Sequence, residues 1–134
     1  MIAVDSSALV AILRREEEAE RFLRILAAED RCLVSTMSFL ETSSVLAGRE
    51  GSAASWAELD AMIRSASMDL VDQDPAQAAE ARTAFLRFGK GRHPAGLNFG
   101  DCASYALAKT RGLRLLFKGD DFGRTDLVPA AYPL

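Results

Sequence analysis

Short apolar runs alternate along the chain with longer stretches in which apolar residues recur every three or four positions. Ile2 to Val4 is a β-prone run followed at once by polar residues, and it reads as a buried strand. Asp5-Ser6-Ser7 supplies N-cap residues for a helix through Ala8 to Leu13. Residues 15–29 set Phe22, Leu23, Ile25 and Leu26 behind Glu16, Glu17, Glu18 and Glu20, acids that suit the N-terminal turn of a solvated helix. Cys32 to Val34 reads as a second strand. Ser38 and Glu41 then stand at capping-box spacing ahead of a helix carrying Phe39, Leu40, Val45 and Leu46, stopped over Gly48 to Gly51. A further helix starts at Ser52 or Ser55 and runs to about Ser67, with Trp56, Leu59 and Ile63 on one face.

Met68 to Val71 is a third strand, and Asp74-Pro75 caps and opens a helix to about Phe88. Gly89 to Gly96 is a loop by composition. Asn98 opens another helix that closes at Gly112, a C′ glycine placed after Lys109 and Arg111. Leu113 to Phe117 is a fourth strand, and Leu127-Val128 is a candidate for a short fifth. Strands separated by helices imply crossovers, hence an α/β, three-layer αβα fold with a central, mostly parallel sheet of four to five strands. The 134 residues fit a single domain, 1–134, without linker or repeat.

That architecture locates function, because sites in open α/β sheets lie at the carboxyl ends of the strands. Asp5 ends strand one, Glu41 is one turn into the helix after strand two, and Asp120-Asp121 follow strand four. Asp101, in the first turn of the Asn98 helix, is a further candidate to meet them. Each acid alone has a local use: Asp5 and Glu41 in caps, Asp101 with a helix dipole, and Asp120-Asp121 in a turn. Convergence on one edge is not explained that way, because gathered carboxylates repel in a low-dielectric cleft. A hard divalent cation relieves the repulsion. All-oxygen donors favour Mg²⁺ or Mn²⁺, and such a site suits phosphoryl chemistry.

Composition narrows the remaining classes. Hydrophobic content of 49% with 26% charged residues belongs to an ordered globular chain, and the apolar runs are too short to span a membrane. The N-terminus lacks a signal-peptide pattern, so a cytoplasmic protein without membrane attachment is expected. Cys32 and Cys102 are too few for a disulfide framework and are expected reduced and buried. Net charge is −3, but residues 1–81 carry −8 and residues 82–134 carry +5. The basic part is either a set of solvated helix faces or a phosphate-attracting rim around an acidic centre. There is no GxxxxGK[ST] loop and no GxGxxG turn after strand one. His93 sits in a Gly/Pro loop, and Ser6 and Ser7 have no evident His partner for a nucleophilic triad.

Four segments together carry a resemblance. They are Ile2-Ala3-Val4-Asp5-Ser6-Ser7-Ala8, Ser35 to Glu41, Asn98-Phe99-Gly100-Asp101-Cys102-Ala103 continuing to Ala108, and Leu115 to Phe122. In order and spacing the chain resembles PIN-domain ribonucleases, and more narrowly VapC-type toxins of bacterial toxin–antitoxin pairs. The resemblance implies a metal-dependent endoribonuclease with Asp5, Glu41 and Asp101 in the metal site and Ser7 supporting the first acid. Asp5 and Asp101 would bind Mg²⁺ directly, and Glu41 would bind through water or orient the attacking water. Strict alignment puts Gly119 at the fourth acidic position. Asp120 is the preferred substitute and Asp121 the alternative. The products expected are a 3′-hydroxyl and a 5′-phosphate. Backbone contacts to RNA would come from among Lys90, Arg92, Lys109, Arg111, Arg114, Lys118 and Arg124. A homodimer and a small VapB-type antitoxin are also implied, with helices around Trp56 or Phe22 as candidate interfaces. Two other classes compete. One is a Mg²⁺-binding receiver module of flavodoxin-like type, with Lys118 as its late-strand lysine. The other is a PIN-like domain used only for protein binding.

Overall fold

The computed structural model describes residues 1–130 except Ser52 and Ala54, and of Glu50 the backbone only. Four parallel strands form one sheet: β1 (Ile2–Val4), β2 (Cys32–Ser35), β3 (Met68–Val71) and β4 (Arg114–Leu116), in the order β3-β2-β1-β4. The helices between them are α1 (Ser6–Leu13), α2 (Ala19–Ala28), α3 (Thr36–Glu50), α4 (Trp56–Ser65), α5 (Pro75–Phe88) and α6 (Phe99–Arg111). A 3₁₀ turn over Phe122–Arg124 follows β4.

Strand periodicity divides the core into two layers. Ile2, Val4, Cys32, Val34 and Leu116 pack on one face with Leu9 and Ile12 of α1, Phe22, Ile25 and Leu26 of α2, and Met62 and Ile63 of α4. Ala3, Leu33 and Leu115 pack on the other with Ala84 and Phe88 of α5 and Cys102, Tyr105 and Leu107 of α6. Because both faces are covered, β1 and β2 are apolar at successive positions up to Ser35, and every residue of both is buried. The three-layer α/β fold is therefore as the alternation of elements predicts. Leu127-Val128 forms no fifth strand; only an isolated bridge joins Leu115 to Pro129.

Local chemistry sets the helix ends. The Asp5 side chain caps α1 by accepting from the Ser7 N–H, and the Asp74 side chain caps α5 with Pro75 at the first position. Asn98 and Asp101 form a reciprocal capping box at the start of α6. Ser38 and Glu41 do not form the expected box. Ser35 caps α3 instead, three residues earlier, by accepting from the Met37 N–H. The helix also continues through Gly48 to Glu50 before Gly51 takes a left-handed φ of 70°. α4 begins at Trp56, after Ser55, and the other expected start, Ser52, lies outside the described residues.

Both cysteines are free and buried, with burial raising each thiol to about 11. Among the described residues no helix is long and apolar enough to cross a membrane. His93 serves its own loop: its Nδ1 accepts from the Ala95 N–H and its ring meets Phe88 edge-on.

Candidate active site

The strand order reverses at β1, whose neighbours are β2 on one side and β4 on the other. This is a topological switch point, where parallel α/β sheets open a crevice at the carboxyl edge. Asp5 occupies it, one residue beyond Val4. Its N–H donates to the Leu116 carbonyl at 2.9 Å, which ties it to the end of β4. The side chain is almost wholly buried, 1% exposed. Oδ2 accepts from the Ser7 N–H at 3.0 Å and Oδ1 from the Ser104 hydroxyl at 2.5 Å.

Ser104 in turn lies 2.9 Å from the Ser38 Oγ, and both serines are buried. A hydroxyl has one proton. Since Ser104 gives its proton to Asp5, Ser38 donates to Ser104. A chain of hydroxyls thus runs from α3 through α6 to the end of β1. The Ser7 hydroxyl, expected to support Asp5, instead accepts from the Lys118 N–H at 3.0 Å and fastens the segment after β4. Ser7 supports Asp5 through its backbone alone.

Glu41 projects from α3, where its Oε1 accepts from the Ser6 hydroxyl at 2.5 Å. Asp101 stands at the first turn of α6, its Oδ2 accepting from the Asn98 N–H at 3.0 Å. The carboxyl of Asp101 is pushed up to about 6, first by burial and then by the charges of Asp5, Glu41 and Asp121; the Asn98 N–H partly opposes the shift. Asp5, Glu41 and Asp101 are therefore brought together. The turn after β4 contributes Asp121 to this field, among the leading charges that act on Asp101. Both Asp120 and Asp121 are exposed, on a turn where Gly119 takes a φ of 100°.

The donor set fits a hard divalent cation. All of it is carboxylate and hydroxyl oxygen, and each carboxylate oxygen that accepts one hydrogen bond keeps a further lone pair. The acids raise Asp101's proton affinity without chelating: among the described residues, no three His, Cys, Asp or Glu side chains already stand at metal-binding distance. Each acid has its own donor: Ser104 for Asp5, Ser6 for Glu41 and the Asn98 N–H for Asp101.

Ser6, Ser38 and Ser104 were not anticipated as parts of this site. A signal for two of them was present. Ser38 lies three residues before Glu41 and Ser104 three residues after Asp101, the spacing that puts side chains on one helix face.

The basic residues are less available than their number suggests. Lys118 pairs with Glu16 at 2.6 Å and Glu18 at 3.0 Å, Lys109 with Asp126 at 2.7 Å, and Arg114 with Glu29 at 2.5 Å. Arg124 donates to the Pro94 carbonyl. Among the described residues, Lys90, Arg92 and Arg111 make no ion pair, and Arg92 lies over the Phe85 ring. Of the two helices that are candidate interfaces, the one around Phe22 turns that residue into the core, where it is 2% exposed, whereas Trp56 on the other is 41% exposed.

Comparison with known proteins gives the family and the fold. The family model for the PIN domain matches residues 2–128. The chain belongs to the PIN-domain family, in its VapC branch. Ribonuclease VapC30 of Mycobacterium tuberculosis is 48% identical over 132 residues, 98% of this chain and all of the relative. Among solved structures, VapC20 of Mycobacterium tuberculosis, described as a toxin that cleaves the sarcin-ricin loop, superposes with a TM-score of 0.79. It is 20% identical and covers 98% of this chain and all of that one. A toxin–antitoxin complex from Klebsiella pneumoniae gives a TM-score of 0.72 at 17% identity, covering all of both chains. These two likenesses establish the fold. A receiver module is excluded by the family, and the lysine that reading needed is bound to two glutamates.

Proposed function

We propose that this PIN domain is a metal-dependent endoribonuclease, the toxin of a toxin–antitoxin pair. The observation that carries the reading is the gathering of Asp5, Glu41 and Asp101 at the carboxyl edge of the sheet in an all-oxygen site, where burial and the neighbouring acids push the Asp101 carboxyl up to about 6. The 48% identity to a ribonuclease over nearly the whole chain supports the same conclusion.

Asp5 and Asp101 are assigned as direct ligands of Mg²⁺, or of Mn²⁺. When bound, such an ion polarises a phosphate oxygen and lowers the pKa of a coordinated water. Ser104 and the Ser7 N–H hold the Asp5 carboxylate in one rotamer. Asn98 holds Asp101 at the start of α6. Glu41 accepts a proton from, or orients, the water that attacks the phosphodiester in line. As the bond from water to phosphorus forms, the bond from phosphorus to the 3′ oxygen breaks, and that oxygen takes a proton from solvent, leaving a 3′-hydroxyl and a 5′-phosphate. For the fourth acid we favour Asp121 over Asp120, because Asp121 is among the leading charges acting on Asp101.

Residues 1–134 are treated as one domain in the cytoplasm, a reducing compartment that suits two free cysteines. The partners proposed are structured RNA, a VapB-type antitoxin and a second copy of the chain. A groove of about 900 Å³ between α5 and α6, lined by Phe85, Leu86 and Phe99, offers apolar surface for a protein partner. Purified protein incubated with structured RNA tests the reading. Cleavage is expected with Mg²⁺ or Mn²⁺, and it stops with EDTA or in Asp101→Asn. Cleavage surviving both treatments overturns the metal mechanism.

A further inference from the structure

Gly100 is the second residue of α6 and is buried. Its φ is not positive, so the backbone there makes no demand for glycine. Helix propensity argues against it, since glycine is among the poorest helix formers and alanine the best. The reason lies across the interface with α3. A Cβ at position 100 would come within 2.5 Å of the Glu41 Cδ and Oε1, and would overlap the other carboxylate oxygen as well. At Gly48 and Gly123 the same added atom meets nothing. The same carboxylate is held by Ser6, whose hydroxyl donates to Oε1 at 2.5 Å and which is itself buried. Glu41 is therefore seated between a hydroxyl at the start of α1 and a bare Cα at the start of α6.

We propose that Ser6 and Gly100 are positioning residues for Glu41, an inference that rests on the nuclease reading above and adds to it. Neither touches the metal ligands Asp5 and Asp101 through its side chain. A glutamate has three rotatable side-chain bonds, and on an open helix surface its carboxylate samples many places. Here one missing side chain leaves room for the carboxylate and one hydrogen bond holds it there. The seat lies against the N-terminal turn of α6, where negative charge is favoured, one residue from Asp101. Reacting groups must be placed to a fraction of an ångström, and a misplacement of ~1 Å costs about 10²-fold in rate.

A double-mutant cycle tests this. Steady-state RNA cleavage with Mg²⁺ and thermal melting without RNA are measured for Gly100→Ala, Ser6→Ala, Ser6→Thr and Glu41→Ala, and for the first two combined with Glu41→Ala. Gly100→Ala and Ser6→Ala are expected to lower kcat about 10²-fold or less, with KM little changed. Ser6→Thr, which keeps the hydroxyl, retains most of the rate. In the Glu41→Ala background neither substitution lowers kcat further. There Gly100→Ala raises the melting temperature more than in the wild type, because alanine then gains its helix propensity without displacing a carboxylate. Additive effects in both readouts overturn the inference, as does a Gly100→Ala protein with wild-type kcat. If the wild type cleaves no RNA, the nuclease reading fails and with it the role in catalysis. The melting cycle still decides, on its own, whether Glu41 is seated by these two residues.

Discussion

Two groups of acids in this molecule are treated in opposite ways. Glu29, at the amino edge of the sheet, receives the N-terminal ammonium at 2.7 Å and the Arg114 guanidinium at 2.5 Å. Its carboxyl is held below the ordinary glutamate range, by the ammonium first and by Arg114 as well. Asp101, at the carboxyl edge, meets Asp5, Glu41 and Asp121 and is pushed up to about 6. Both are carboxylates near strand ends. At one edge each negative charge has been given a cation from the chain itself, and at the other only hydroxyls and N–H groups are supplied. Neutral donors orient a carboxylate without cancelling its charge. The carboxyl edge is thus left with an electrostatic deficit that a bound cation removes, and the amino edge is complete without one.

The comparison breaks most sharply at Asp101. Asp101→Asn and Asp5→Asn are expected to reduce RNA cleavage by ~10²–10³-fold or more, on the scale of losing one preorganised charged or hydrogen-bonding group. Glu29→Gln should leave cleavage unchanged. Initial rates on one structured RNA, with circular dichroism to confirm folding, read both outcomes. Loss of activity in Glu29→Gln would mean that the two edges are not separate.

Stability should follow the same division with opposite slopes. Asp101 has a folded pKa raised above its unfolded value, so its ionisation opposes folding. Stability falls as pH rises from about 4 to about 6, and the penalty persists above that. At this partly screened position it amounts to roughly 1–2 kcal/mol. Mg²⁺ at pH 7.5 should recover it, and Asp101→Asn should abolish both the pH slope in this window and most of the metal effect. Urea denaturation between pH 4 and 7.5, with and without Mg²⁺, measures this. A wild type that gains stability between pH 5 and 7, with no response to Mg²⁺, would contradict it.

The turn after β4 gives a smaller effect. Asp121→Asn removes one of the charges acting on Asp101, so the Asp101 carboxyl should fall toward the ordinary aspartate range, and cleavage should drop severalfold. Asp120→Asn should do neither. A carboxyl-labelled NMR titration of the two variants distinguishes them, and equal shifts would return the fourth acid to an open choice.

Much of this was readable from residues alone, and the failures share a cause. The strands showed themselves as short apolar runs because a parallel sheet covered on both faces needs apolar residues at successive positions. The caps at Asp5, Asp74 and Asn98 are local interactions and were legible as such. Ser38 and Glu41 were not, because a separation of three residues serves a capping box and a shared helix face equally well. Only the approach of α1 and α6 to α3 shows that Ser38 reaches Ser104 and Glu41 reaches Ser6. Lys118 meets glutamates about a hundred residues away in the chain, so the basic character of the C-terminal part is partly neutralised by folding. Asp120 and Asp121 were ambiguous because the left-handed φ of Gly119 sets how the turn presents them, and adjacency in sequence carries no such information.

The smallest expected effect completes the contrast at the amino edge. The Glu29 pKa is lowered on folding, so its pairing stabilises the fold above the unfolded carboxyl pKa and that contribution is lost as pH falls through the folded value. Glu29 pairs with two cations whose own side chains are more than two-fifths exposed. Such pairs contribute little, about 0–1 kcal/mol each. Glu29→Gln should therefore lower the melting temperature by no more than a few degrees at pH 7, by less at pH 4, and by less again in high salt, where exposed pairs are screened. Asp101→Asn, measured in parallel, should stabilise at pH 7 and not at pH 4. Opposite signs at pH 7 from two single carboxylate-to-amide changes would show that only the carboxyl edge is held away from its stability optimum, as a site reserved for a cation must be. Equal signs would mean that the acids at the carboxyl edge are neutralised by the protein itself.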